Sequence, residues 1–197
     1  MIAPQIFPAA SRLCAACGMC CNGVMFHIVR LQPADSPRKL AALGLKLKRK
    51  KGQSHIIQPC PAHRDSRCSI YEGRPERCRV FECRQLQRVA AGEITEAMAR
   101  EKIGEAVQLV AELNALLLRA GGTNVKRAIF KRCEQAMAEP LDPSSDEAAV
   151  EIRNRIRRVK QELNALLDLE FRITPIAPSP NDGGEAVELQ VEGEAPL

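Results

Sequence analysis

Apolar residues return at helical spacing only in the second half of this chain. After Thr95, a suitable N-cap, Met98, Ile103, Ala106, Val110, Leu113 and Leu117 recur at three- to five-residue steps until Gly121-Gly122 stops the run. Val125, Ile129, Cys133 and Ala136 predict a second, shorter helix ending before Pro140. A third helix, capped by Ser145 or Asp146, carries Ile152, Ile156, Val159, Leu163, Leu166 and Leu167 in a coiled-coil-like seam. Glu112-Leu-Asn-Ala-Leu-Leu117 recurs as Glu162-Leu-Asn-Ala-Leu-Leu167, but the flanks differ, so two helices share good helix formers without forming a solenoid.

The first ninety residues follow no such rhythm. Residues 1–13 read as an irregular lead-in, and Cys14 to Gly23 as a tight loop in which Gly18 and Gly23 permit positive φ. Val24 to Val29 predicts a strand. Pro33 predicts the start of a short helix continued by Leu40, Leu43 and Leu47. Lys46 to Lys51 then turns at Gly52 into His55-Ile-Ile57 as a hairpin. Pro75 opens a helix to about Gln87, carrying Cys78, with Cys83 more than a turn further on. Beyond Arg172 the chain is rich in Pro, Gly and acid, and is expected to be a disordered tail. The fold class expected is mainly α: a small irregular, metal-organised cysteine-cluster domain (10–90), a helical hairpin or bundle (91–172) and a disordered acidic tail (173–197).

Composition narrows this picture. Five Phe, one Tyr and no Trp exclude a large aromatic-packed sandwich or barrel. No apolar run reaches the roughly 20 residues of a membrane helix, so no membrane partner is expected. Met1 to Ser11 shows no basic-then-apolar export signal, which reads as cytoplasmic. Eight of the nine cysteines fall between Cys14 and Cys83. In a reducing compartment such density points to metal binding and away from disulfides. Charge divides the same way: residues 1–90 hold 16 Lys and Arg against 5 Asp and Glu, while residues 173–197 hold none against 5. Thiolates binding a metal would offset the basic excess, so nucleic acid is not needed to explain it. Lys46 to Lys51 and Arg153 to Lys160 lack neighbouring aromatics and read as solvated faces. The expected partners are a metal ion and, through the helical region, a protein.

Cys14-x2-Cys17-x2-Cys20, with Cys21 attached, lets several sulfurs converge while backbone N–H groups face them. Cys60-Pro61, Cys68, Cys78 and Cys83 complete the set. Four-thiolate sites suit zinc and iron–sulfur clusters alike, and eight cysteines suffice for two such sites or for one with spare thiols. Because neighbours in extended chain point opposite ways, Cys20 and Cys21 can face different metals. At Cys68-Ser-Ile-Tyr71, Arg74-Pro75, Cys78-Arg79, Phe81 and Cys83, together with the first motif, the sequence resembles the zinc- or iron-chelating CxxCxxCC family, whose functionally named members are flagellin lysine N-methylases. The resemblance covers about residues 14–90 and implies a bound metal or cluster. The function expected is metal binding, in metal handling or redox; the alternatives are a protein-lysine N-methylase, against which no glycine-rich strand-to-helix turn for S-adenosylmethionine is visible, and a nucleic-acid-binding metal module. Arg74 and Arg79 are expected to stabilise the thiolates as cofactor-binding residues. His63 reads as an exposed loop histidine, His27 and Tyr71 as packed, and Cys133 as a small core hydrophobe.

Overall fold

A computed structural model describes residues 9–64, 67–122, 124–138 and 147–173. The expected cap at Ser145 or Asp146, and the expected tail from residue 174 on, lie outside these residues. Within them the chain is mainly α, with seven helices and two small antiparallel sheets.

The three helices predicted by periodicity are present. Helix α5 (Glu96–Arg119) begins at Thr95, whose hydroxyl accepts from the Met98 N–H at 3.2 Å. Helix α6 is Ile129–Ala138 and helix α7 is Glu147–Glu170. α7 packs along α5, and Leu113, Leu117, Ile156, Leu163 and Leu167 are wholly buried between them. Met98 is exposed, however, and Ala99 takes the core position. The larger apolar residue misled the sequence reading; a methyl at Ala99 and another at Ala106 leave room for a further helix against α5. Val125 likewise precedes α6 and is exposed.

That further helix is α1 (Ala9–Cys17), where an irregular lead-in was expected. Leu13 buries against α5, and Arg12 holds Glu96 through Nε at 3.1 Å and through a second nitrogen at 2.6 Å. The helix therefore runs into the cysteine motif, so Cys14 and Cys17 are helical. It ends at Gly18, in the left-handed region at φ 63°.

Strand β1 (Ile28–Arg30) is shorter than predicted. The basic hairpin forms as expected, with β2 (Leu47–Lys50) and β3 (Gln53–Ile57) pairing antiparallel and β1 completing the order β1-β3-β2. Helix α2 (Pro37–Ala42) starts at Pro37 and not at Pro33, because Ser36 supplies the cap, its hydroxyl accepting from the Lys39 N–H at 3.3 Å. β4 (His63–Arg64) and β5 (Arg67–Cys68) pair His63 with Cys68. The helix predicted from Pro75 is two: α3 (Glu76–Val80) and α4 (Arg84–Ala90), with Phe81 and Cys83 extended between them.

Burial follows two clusters. The larger joins Leu13, Met19, Val24 and Met25 to α5, α6 and α7, so it crosses residue 90. The smaller, around Val29, Leu40, Leu45 and Ile56, lies under the β1-β3-β2 sheet. The end of α7 is also fastened to α4. The Arg84 guanidinium donates to the Asp168 and Leu169 carbonyls, and the Gln85 amide donates to the Glu170 carbonyl at 3.1 Å and to its carboxylate at 2.8 Å. These donors satisfy last-turn carbonyls that a helix otherwise leaves open.

Two consequences are measurable. Leu163→Ala leaves a hole at a fully buried position and should cost roughly 2–5 kcal/mol in denaturant unfolding. Arg12, then Arg100, hold the Glu96 carboxyl from its ordinary 4.5 down to about 2. A depressed carboxyl contributes its stability above the unfolded value and loses it as pH falls through the folded one. The melting-temperature gap between wild type and Glu96→Gln should thus be full above pH 4.5 and close as pH approaches about 2.

Candidate metal centre

The eight cysteines sort into two neighbourhoods. Cys17, Cys20 and Cys83 pack against the larger core, whereas Cys60 and Cys78 pack against the smaller one. Cys14 and Cys17 stand on the last turns of α1, Cys20 follows the Gly18 turn, and Cys83 is the N-cap of α4. The Cys21 carbonyl accepts from the Cys60 N–H at 2.7 Å, which ties the other strand of the motif to the second group. Cys68 pairs across the β4-β5 ladder from His63, and Cys78 lies on α3.

Electrostatic influence follows the same division and extends it to Cys14, Cys21 and Cys68. Among the charges acting on Cys20, those of Cys17 and Cys83 outweigh that of its chain neighbour Cys21. Cys21 in turn is affected first by Cys60, then by Cys78 and Cys68, and least by Cys14. Cys14 is coupled to Cys83, and Cys60 to Cys68. This ordering groups Cys14, Cys17, Cys20 and Cys83 apart from Cys21, Cys60, Cys68 and Cys78, with Cys20 and Cys21 at the junction, since Cys21 acts on Cys20 more than Cys14 does.

Burial is the first cause that lifts these thiols above their ordinary value of 9.0. It pushes Cys17 and Cys21 up to about 12 and Cys78 up to about 11. Cys14, Cys20, Cys60 and Cys83 are raised for the same first cause. Backbone N–H groups oppose this at three sulfurs: Met19 at Cys17, Ala62 and His63 at Cys60, and Leu86 and Gln85 at Cys83. Such donors stabilise a thiolate once something other than a proton satisfies it. Among the described residues, no three His, Cys, Asp or Glu side chains are already drawn together as an ion site. The sulfurs stand as neighbours, and it is the donor chemistry that fits a metal: two sets of four soft ligands with N–H groups turned toward three of them.

Arg74 lies between the sets. Its charge acts on both Cys14 and Cys78, and its guanidinium sits 3.9 Å from the centre of the Tyr71 ring. Arg79 is exposed on α3. Tyr71 is 42% exposed, where packing was expected, and its hydroxyl bonds Ser11 at 2.9 Å. His27 is exposed rather than packed. His63 is half-buried rather than a free loop residue: its Nε2 is buried and without a hydrogen-bond partner, beside Gly18. Cys133 is wholly buried on α6 and belongs to the core, as expected.

Asp35 escaped the sequence reading. Its carboxylate accepts from the Gln32 N–H and from the Glu76 N–H, both at 2.8 Å, and so caps the helix bearing Cys78. The capped N–H is 41 residues away, so no local pattern signalled it.

Residues 13–103 match the CxxCxxCC family, described as a "putative zinc- or iron-chelating domain", a span that takes in all eight clustered cysteines and the first turns of α5. Neither a curated protein nor a solved structure matches the chain.

A methyl at Gly18 would stand 2.9 Å from His63 Nε2 on a backbone held at φ 63°. Gly18→Ala should therefore hasten metal loss to a chelator several-fold. His63→Ala in the same chain should recover part of that loss, since the contact goes but the backbone cost, about 1–2 kcal/mol, stays. Metal release followed by a colorimetric chelator checks both.

Proposed function

Taking residues 13–103 as a CxxCxxCC chelating domain, we propose that the protein carries two four-thiolate centres, an outer one on Cys14, Cys17, Cys20 and Cys83 and an inner one on Cys21, Cys60, Cys68 and Cys78. The observation behind this reading is the division of Cys20 from Cys21, each acted on most strongly by cysteines of a different core. Iron–sulfur clusters are favoured over zinc, because Cys14, Cys17 and Cys20 form the three-cysteine cradle of cluster proteins with a remote fourth ligand. When bound, such clusters supply one-electron redox chemistry; zinc would supply structure.

The chain's own part is to hold sulfurs and balance charge. Arg74 offsets thiolate charge in both sets, and Arg79 adds positive charge near Cys78. A role in redox or metal handling follows, with the helical region as the surface for a protein partner. Methyl transfer is left out of the proposal, because both sheets among the described residues are antiparallel and offer no parallel strand-to-helix turn for S-adenosylmethionine. The basic α7 face is partly neutralised, with Arg155 paired to Glu112 and Arg158 to Glu151, which gives nucleic acid little to bind.

Elemental and sulfide analysis of anaerobically purified protein tests the reading. The expected result is iron with sulfide and a brown colour. Stoichiometric zinc in a colourless protein would reassign the metal, and neither metal would refute the centres. Replacing Cys17 and Cys83 by serine should remove one centre's metal, and replacing Cys60 and Cys78 the other's. Loss of all metal from either pair would instead mean a single shared site. Cys133→Ser should leave metal content unchanged.

A further inference from the structure

A groove of about 500 Å³ opens between α5, α6 and the chain around Asn22 and Pro59. Its size is that of a small-molecule pocket. One wall is apolar, with Val24, Val110 and Ile129, and the rim carries Leu118. The other wall is polar, with Arg132, Asn114 and Arg127, whose guanidinium already donates to the Gln135 side-chain oxygen at 3.0 Å.

Arg132 is 8% exposed, yet no carboxylate among the described residues pairs with it. One guanidinium nitrogen donates to the Asn114 side-chain Oδ1 at 2.5 Å, and the Nε–H is buried without a partner. Burying a guanidinium with neither counter-charge nor a full set of acceptors is costly, and a native protein rarely tolerates it without purpose. With its oxygen on Arg132, Asn114 keeps its amide N–H2 as a second donor on the same wall. Burial disfavours the charged form of Arg132.

We propose that this groove binds a small organic oxyanion, its acidic head on Arg132 and Asn114 and its apolar body against Val24, Val110 and Ile129. The site lies outside the eight thiols and does not depend on which metal they hold. It adjoins them through Asn22 and Pro59, the chain neighbours of Cys21 and Cys60.

Calorimetric titration and thermal melting of the metal-loaded full chain, with hexanoate, hexyl phosphate, hexanol and hexylamine as probes, test this directly. Hexanoate or hexyl phosphate should bind saturably and raise the melting temperature, the tighter of the two identifying the head group. The alcohol and the amine should do neither. Arg132→Met should abolish binding. Ala115 is exposed at the groove, so charge can be placed there without disturbing the core. Ala115→Glu should weaken the anion several-fold and Ala115→Lys should not, even if the Arg132 variant fails to fold. The proposal is overturned if neither anion binds, if hexanol binds as well as hexanoate, or if the two Ala115 variants bind alike.

Discussion

Two cysteines joined by a peptide bond are poorly placed to serve one tetrahedral ion while six others wait nearby. The bond between Cys20 and Cys21 is therefore the constraint on which the N-terminal half depends. Once their sulfurs part, each must find company in a different place. The Gly18 turn delivers Cys20 to the helical core, and the Cys21 carbonyl binds the Cys60 loop. The two hydrophobic clusters lie on the two sides of this division. What looks in sequence like one motif with a surplus cysteine is, in space, a junction.

The helices after residue 95 are part of the site's support. Cys83 opens α4, and α4 is held at Arg84 and Gln85 by the last turn of α7. Cys14 and Cys17 belong to a helix pinned to α5 by Leu13 and by the Arg12–Glu96 pair. Every member of the outer set except Cys20 thus stands on a helix or a helix end that the helical region buttresses. The inner set leans on the small sheet and on the Asp35 cap instead. Each set has its own scaffold, and Arg74 is the cation they share.

Much of this was legible in the chain. Thr95, the leucine and isoleucine seams of α5 and α7, and the glycine-turned hairpin are local patterns, and local patterns survive folding. The eight cysteines were legible as a group, and the span that holds them matches a family described as a putative zinc- or iron-chelating domain. The failures share one cause. Helix α1 hides because its stability comes from α5, some eighty residues on, and not from its own sequence. The break between α3 and α4 falls where Phe81 packs edge-on against Phe26 and where Arg84 and Gln85 bind the end of α7. Asp35 and the partnerless Nε2 of His63 owe their places to distant neighbours, and spacing along the chain carries no record of those.

One consequence lies in the order of the cysteines along the chain. Cys21 to Cys78 are enclosed between Cys20 and Cys83, so the inner set nests within the outer one. During synthesis all eight cysteines emerge well before α7, the helix whose last turn grips α4. The scaffold of the inner set is complete without the helices beyond residue 95, whereas the buttress of the outer set is complete only once α7 has emerged to grip α4. Assembly therefore has a direction, from the sheet outward to the helices.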